Sequence, residues 1–191
     1  DRSTITNMGA EMGATTSVFP SDEVVHQFFI NQQREEDWIE LLPDEDATYD
    51  EEIIINLNEL TPLVAQPDMP DNVIPIKDLQ SQVKIDQVFI GSCTNASYTD
   101  LAKAAAILKG HTVHPDVSLV VAAGSRQIFS MALRDGIIST LVDAGARILE
   151  CGCGPCVGIG QAPRTNGVSL RTSNRNFKGR SGTLDASIYL S

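Results

Sequence analysis

The sequence predicts an α/β fold, three layers of α/β/α around a mostly parallel sheet. Two observations carry the prediction. Beyond residue 85, short β-branched runs alternate with amphipathic helical stretches, and each such run is followed by a turn bearing Gly, Cys or Asn. Strands that alternate with helices build parallel β-α-β units whose crossovers cover the sheet. The 191 residues, 42% hydrophobic and 20% charged, are enough for one sizeable core or two small ones.

Taken in order, residues 1–20 are rich in Gly, Thr and small side chains and show little periodicity. Ser21-Asp22-Glu23-Val24 resembles a capping box, and Val24, Val25, Phe28 and Phe29 follow at helical spacing, so a helix is expected from Asp22 to Gln33 with Ser21 as its cap. Residues 34–52 are acidic. Ile53 to Leu57 is a β-branched apolar run, expected as a buried strand. The prolines at 62, 67, 70 and 75 mark a linker. Further strands are expected at Gln87–Ile90, Ser118–Ala122, Ala146–Leu149 and Gly167–Leu170. Helices are expected at Ser97–Lys109 and Arg126–Ala144, the latter broken near Gly136. The domain reading is therefore 1–62 as the end of a preceding α/β subdomain, 63–84 as a Pro-rich linker and 85–191 as a second α/β subdomain.

Charge divides the chain. Residues 1–80 hold 18 acids and 3 bases, residues 81–191 hold 7 and 11, and five cations crowd the last 28 residues. The net charge of -11 and pI near 4.6 disfavour a nucleic-acid partner, which needs a basic footprint. A small anionic ligand suits the basic end. No apolar run reaches the roughly 18 residues of a spanning helix, so no membrane is expected. Four cysteines are too sparse for a disulfide framework and suit a reducing, cytoplasmic setting. The chain starts at Asp1 and is read as an excised or processed piece.

If the strands are parallel, their turns meet at one carboxyl edge, where open α/β sheets bind ligands. Those turns are Gly91-Ser92-Cys93-Thr94-Asn95, Ala123-Gly124-Ser125, Cys151-Gly152-Cys153-Gly154-Pro155-Cys156, and the stretch from Asn174 to Arg180. Three thiolates, Cys93 with the Cys153-x-x-Cys156 pair, would hold three corners of a cubane and leave one iron without a protein ligand, a Lewis acid for a hydroxyl and a carboxylate. A structural zinc using Cys151, a thioredoxin-type redox pair and unreactive buried cysteines remain alternatives on spacing alone. Arg175 and Arg180 offer forks for carboxylates. Asn7 and Glu11 lie one helical turn apart and share a face if helical, where the acid can handle protons. His26, His111 and His114 have no partner at metal or triad spacing. Asn95-Ala96-Ser97 fits a glycosylation pattern without other sign of secretion.

Together, Gly91-Ser92-Cys93-Thr94-Asn95, Cys153-Gly154-Pro155-Cys156 and Asn174-Arg175-Asn176-Phe177 with Gly179-Arg180 resemble the iron-sulfur portion of the aconitase family. Asn7-Met8-Gly9-Ala10-Glu11 and the Ala14 to Pro20 stretch are similar to the segment before it. The resemblance covers essentially the whole chain. It implies the fold of the aconitase iron-sulfur domain and a [4Fe-4S] hydro-lyase, with Cys93, Cys153 and Cys156 as metal ligands and one iron lacking a protein ligand. It implies Arg175, Arg180 and Asn174 as substrate-binding residues and Asn7 and Glu11 as catalytic residues near the iron-bound hydroxyl. The activity it implies first is aconitate hydratase, which isomerises citrate and isocitrate through cis-aconitate in the tricarboxylic acid cycle; the homoaconitate and 3-isopropylmalate branches share the motifs. The partners it implies are a di- or tricarboxylate and further N-terminal and C-terminal, swivelling domains or a separate subunit, without which the chain is expected to be inactive. An iron sensor that binds RNA is disfavoured by the acidic first half. Cys151 is expected to be a non-ligand.

Overall fold

The computed structural model describes residues 2–79 and 82–191. The chain forms two compact units, divided between Leu60 and Thr61.

The first unit is mostly turns around two helices, α1 (Arg2–Met8) and α2 (Glu23–Asn31), with 3-10 turns at Gly9–Met12, Glu35–Asp37 and Leu57–Glu59. The cap of α2 is Asp22 and not Ser21: its carboxylate accepts from the amides of Val24 and Val25, while Ser21 pairs its backbone with Leu41 and donates its hydroxyl to the Ile39 carbonyl. Asp22 also takes a fork from Arg2, with Nη1 at 3.0 Å and Nη2 at 2.7 Å, which ties the start of α2 to α1. The expected strand at Ile53 to Leu57 does not form. Ile53, Ile54 and Ile55 are 65% to 84% exposed, and no strand among the described residues pairs with them. An apolar run predicts burial, but only a neighbouring ladder makes it a strand.

The second unit is built on a seven-stranded sheet of β1 (Leu63–Ala65), β2 (Val73–Pro75), β3 (Gln87–Gly91), β4 (Ser118–Ala122), β5 (Arg147–Leu149), β6 (Val168–Arg171) and β7 (Ser187–Leu190), in the order β2-β1-β7-β6-β3-β4-β5. The strands from β7 to β5 are parallel, with Val88 opposite Leu119 and Leu170, and Val121 opposite Ile148. The β1-β2 hairpin joins antiparallel through Ala65 against Leu190, so the Pro-rich stretch expected as a linker supplies two strands of the sheet. Pro75 ends the outer strand β2, where a missing N–H costs no inner ladder bond.

Three helices follow the expected pattern: α3 (Tyr98–Leu108), α4 (Arg126–Arg134) and α5 (Ile137–Asp143). A capping box starts α3, the Ser97 hydroxyl accepting from the Asp100 amide and the Asp100 carboxylate from Ser97. Gly136, in a left-handed conformation at φ 76°, makes the break between α4 and α5. Leu101, Ala105, Ala132, Ile138 and Leu141 from these helices bury Leu119 and Val121 on one sheet face. On the opposite face Phe89, Val120 and Ala122 pack against Leu149 and against Cys156 of the short turn Pro155–Val157.

Candidate functional site

Because β3, β4, β5 and β6 are parallel, the four turns that follow them share one edge, as the motif positions require. At the end of β3, Gly91 is buried, as is Ser92 after it, and Cys93 emerges to the surface. Ser92 holds φ 114°, a conformation costly for a residue with a side chain, and its Oγ accepts from the Asn95 amide at 3.0 Å. The strained residue turns the chain sharply just before the exposed thiol.

Side chains and backbone tie this turn to its neighbours. The Gly124 amide after β4 donates to the Ala96 carbonyl at 3.0 Å, and an added Cβ at Gly124 would lie 3.1 Å from that oxygen. After β6, the Thr172 hydroxyl accepts from the Gly91 amide at 2.9 Å and donates to the Gly91 carbonyl at 3.0 Å. Asn174 meets Thr94 and Asn95, its Nδ2 donating to the Thr94 hydroxyl at 3.0 Å and its Oδ1 accepting from the Asn95 amide. Asn176 is buried and donates to the Gln66 and Ile188 carbonyls at 2.7 and 3.1 Å, which anchors the loop carrying Arg175 and Arg180 to the sheet. Arg175 is half-buried; Arg180, also half-buried, lies over the Phe177 ring at 5.6 Å.

The turn after β5 carries the cysteine pair. Cys153 is exposed and Cys156 half-buried against the Phe89 face. Burial pushes the Cys156 thiol up; Arg171 pulls it down, Cys153 and Cys93 push it up, and Arg180 pulls it down. Cys93 and Cys153 are thus both near Cys156, with two cations beside it. Cys151 packs instead against the helix-side core, on the opposite face of the sheet from Cys156.

One residue here was not singled out by its sequence context. Arg171, at the end of β6, is 1% exposed. Its Nη1 donates to the Pro155 carbonyl at 2.6 Å, Nη2 to Gln87 Oε1 at 2.8 Å and Nε to the Ser169 hydroxyl at 3.0 Å, and it lies 5.5 Å from the centre of the Phe89 ring. The signal was the polar alternation of Ser169 and Arg171 in an otherwise apolar strand, in register with Gln87.

Asn7 lies in the last turn of α1 and the exposed Glu11 in the following 3-10 turn, both within the first unit. Among the described residues no three His, Cys, Asp or Glu side chains lie close enough to hold a single metal ion. A cubane needs no such cluster, since each thiolate takes a different iron. Three thiols gathered around Cys156, two of them exposed, with a buried and a half-buried cation beside them, form a donor set that fits an anionic thiolate-bound cluster.

The fold and site define an α/β protein whose mostly parallel sheet gathers thiols and arginines at its carboxyl edge. The chain belongs to the aconitase family: the family model, described as aconitase family (aconitate hydratase), matches residues 1–84 and 78–191. It is 47% identical over 192 residues to the 3-isopropylmalate dehydratase large subunit 1 of Thermotoga maritima, covering 100% of this chain and 46% of that protein. It is 43% identical to the methanogen homoaconitase large subunit of Methanocaldococcus jannaschii, over 99% of this chain and 47% of that one. The homoaconitase large subunit of Thermus thermophilus is 44% identical, over 100% of this chain and 44% of its own length. The chain therefore spans a little under half the length of these curated relatives.

Proposed function

We propose that the protein is the cluster-bearing part of a hydro-lyase of the 3-isopropylmalate dehydratase or homoaconitase large-subunit type. The observation that carries this reading is the meeting of Cys93, Cys153 and Cys156 beside Arg171 and Arg180 at the carboxyl edge of the sheet. The relatives favour these two branches over aconitate hydratase, the activity that the sequence resemblance put first.

Cys93, Cys153 and Cys156 would hold a [4Fe-4S] cluster. When bound, such a cluster supplies a Lewis-acidic iron without a protein ligand, suited to a hydroxyl and its neighbouring carboxylate. The remaining work falls to side chains. Arg175 and Arg180 would take the other carboxylates of a hydroxy di- or tricarboxylate through bidentate forks. Asn174, held by Thr94 and Asn95, would orient the substrate next to them. Glu11, with Asn7, would manage the proton of the departing hydroxyl. Removing the carbon-bound proton needs a base, which we assign to the rest of the large subunit or to a small, swivelling subunit; the length of the relatives leaves room for such parts. On this reading the chain alone does not turn over. The few cysteines, none paired among the described residues, suit a reducing cytoplasm.

The test rebuilds the cluster anaerobically with iron and sulfide, adds the cognate small subunit, and follows dehydration of 3-isopropylmalate, homocitrate and citrate. Iron-sulfur absorption with turnover of either of the first two over citrate supports the reading. Preference for citrate returns the protein to the aconitate hydratase branch, and zinc in place of iron sinks the cluster assignment.

A further inference from the structure

Arg171 is a buried guanidinium with no carboxylate counter-ion among the described residues. Its Nε, Nη1 and Nη2 donate to the Ser169 hydroxyl, the Pro155 carbonyl and the Gln87 amide oxygen, all neutral. Burying a charge is costly unless it is compensated. Gln87 is itself buried and shared, accepting from both Arg171 and the Ser169 hydroxyl at 2.8 Å, so the guanidinium is locked in place. Burial lowers its pKa to about 10, still protonated at neutral pH, and the charge that opposes this fall is that of Cys156. Through the Pro155 carbonyl, Arg171 also grips the residue immediately before Cys156.

We propose that Arg171 is a positioning residue for the iron-sulfur cluster, a fixed positive charge behind Cys156 that offsets the negative charge of the thiolate-bound cluster and raises its reduction potential. The inference rests on the reading of Cys93, Cys153 and Cys156 as cluster ligands. Its physical basis is simple. A cubane core held by three thiolates is anionic, and reduction adds one more negative charge, so a nearby fixed cation stabilises the reduced form more than the oxidised one. Net charge, hydrogen bonding and burial are the levers by which a protein sets such potentials. Arg175 and Arg180 are half-buried on the loop proposed to meet substrate; Arg171 is sealed beneath, where it acts whether or not substrate is bound.

The discriminating variant is Gln87→Glu. It keeps the oxygen that Arg171 and Ser169 use and gives the guanidinium a counter-ion in place, which cancels its charge without deleting a bond to it. A redox titration followed by electron paramagnetic resonance on the reconstituted protein reads the result. Gln87→Glu and Arg171→Gln are expected to move the midpoint to lower potential by tenfold or more in the oxidised-to-reduced ratio, about 59 mV for one electron, whereas Arg171→Lys stays closer to wild type. If Arg171→Gln does not fold, Arg171→Met combined with Gln87→Leu and Ser169→Ala removes the charge together with its side-chain acceptors, and the same downward shift is expected. A wild-type midpoint in any folded variant that cancels the charge overturns the proposal. So does an Arg171→Lys protein as shifted as Arg171→Gln, since that is the mark of a structural fork. Failure of the wild-type protein to take up iron and sulfide is a different result: it removes the ligand reading, and this inference with it.

Discussion

The side-chain amide of Asn95 donates to the main-chain carbonyl of Thr172 at 2.6 Å, joining the turn after β3 to the turn after β6 across 77 residues of chain. With the two bonds between Thr172 and Gly91, it holds the Cys93 turn and the start of the Asn174 to Arg180 loop as one body. Asn95→Ala is expected to destabilise the protein by about 1–2 kcal/mol, because the Thr172 carbonyl and Asn174 Oδ1 both lose a donor. Denaturant unfolding measures this. A midpoint equal to wild type would show that the turns hold together without Asn95.

The four cysteines divide by position. Cys93 and Cys153 are exposed, Cys156 is half-buried with its thiol pushed up, and Cys151 faces the helix-side core. In the metal-free protein, alkylation is expected to be fast at Cys93 and Cys153 and slower at Cys156, since the thiolate is the reacting form and both burial and the raised pKa reduce it. After reconstitution, Cys93, Cys153 and Cys156 should all be protected. Cys151→Ala should assemble the same iron-sulfur absorption as wild type, while Cys93→Ala, Cys153→Ala or Cys156→Ala should not. Peptide mass spectrometry of alkylation rates checks the first part. A Cys151→Ala protein that fails to build the chromophore would place Cys151 among the ligands.

Much of the second unit was legible in its sequence because local and global signals agree there. Ser118–Ala122 is the strand its β-branched run predicts, Ser97 caps the helix its spacing predicts, and Gly136 breaks the helix where expected. The convergence of the cysteine turns followed from parallel pairing alone. What was not legible depends on surfaces that a sequence does not display. Ile53 to Leu57 has the composition of a buried strand but no partner ladder among the described residues. The prolines of 62–75 obscured a hairpin that docks on Leu190, and the four-residue β7 is too short to show a period. Arg171 was counted among the basic residues, where charge counting places an arginine on the surface; only the fold shows it sealed.

Gly158 lies against the backbone of the arginine loop. It has φ 85°, and a Cβ added there would sit 2.6 Å from Gly182 Cα and 2.7 Å from the Ser181 carbonyl carbon. Neither neighbour is a flexible side-chain end, so Gly158→Ala forces the cysteine turn and the Arg180 loop apart, in addition to straining its own backbone. We expect a loss of stability above about 1 kcal/mol and a faster loss of iron from the reconstituted protein. Gly160→Ala is the control: it shares a positive φ, 74°, but its Cβ meets nothing within 4 Å. Equal iron loss from both variants would show that backbone strain, and not the approach of the two loops, is responsible.

Asp22 gives the first unit an acid dependence of fixed sign. Its hydrogen bond from Arg2, helped by the Val25 and Val24 amides and the Arg2 charge and opposed by desolvation, holds the carboxyl at about 2. The ordinary unfolded aspartate titrates near ~3.9. A group whose folded pKa is depressed stabilises the fold fully above its unfolded pKa, and that stabilisation disappears as pH falls through the folded value. The Arg2 and α2-cap contacts should therefore be intact at pH 5 and fade between about pH 4 and pH 2. Carbon-detected NMR titration of Asp22, with amide signals of Val24 and Val25 as reporters, follows this directly. Asp22→Asn retains an oxygen for the cap and removes the charge, so its signals should lack the transition. The ion pair is partly exposed, with side chains 38% and 33% accessible, so added salt should move the Asp22 midpoint upward toward the ordinary value. An Asp22 that titrates at the ordinary value in low salt would show that the fork from Arg2 does not persist in solution.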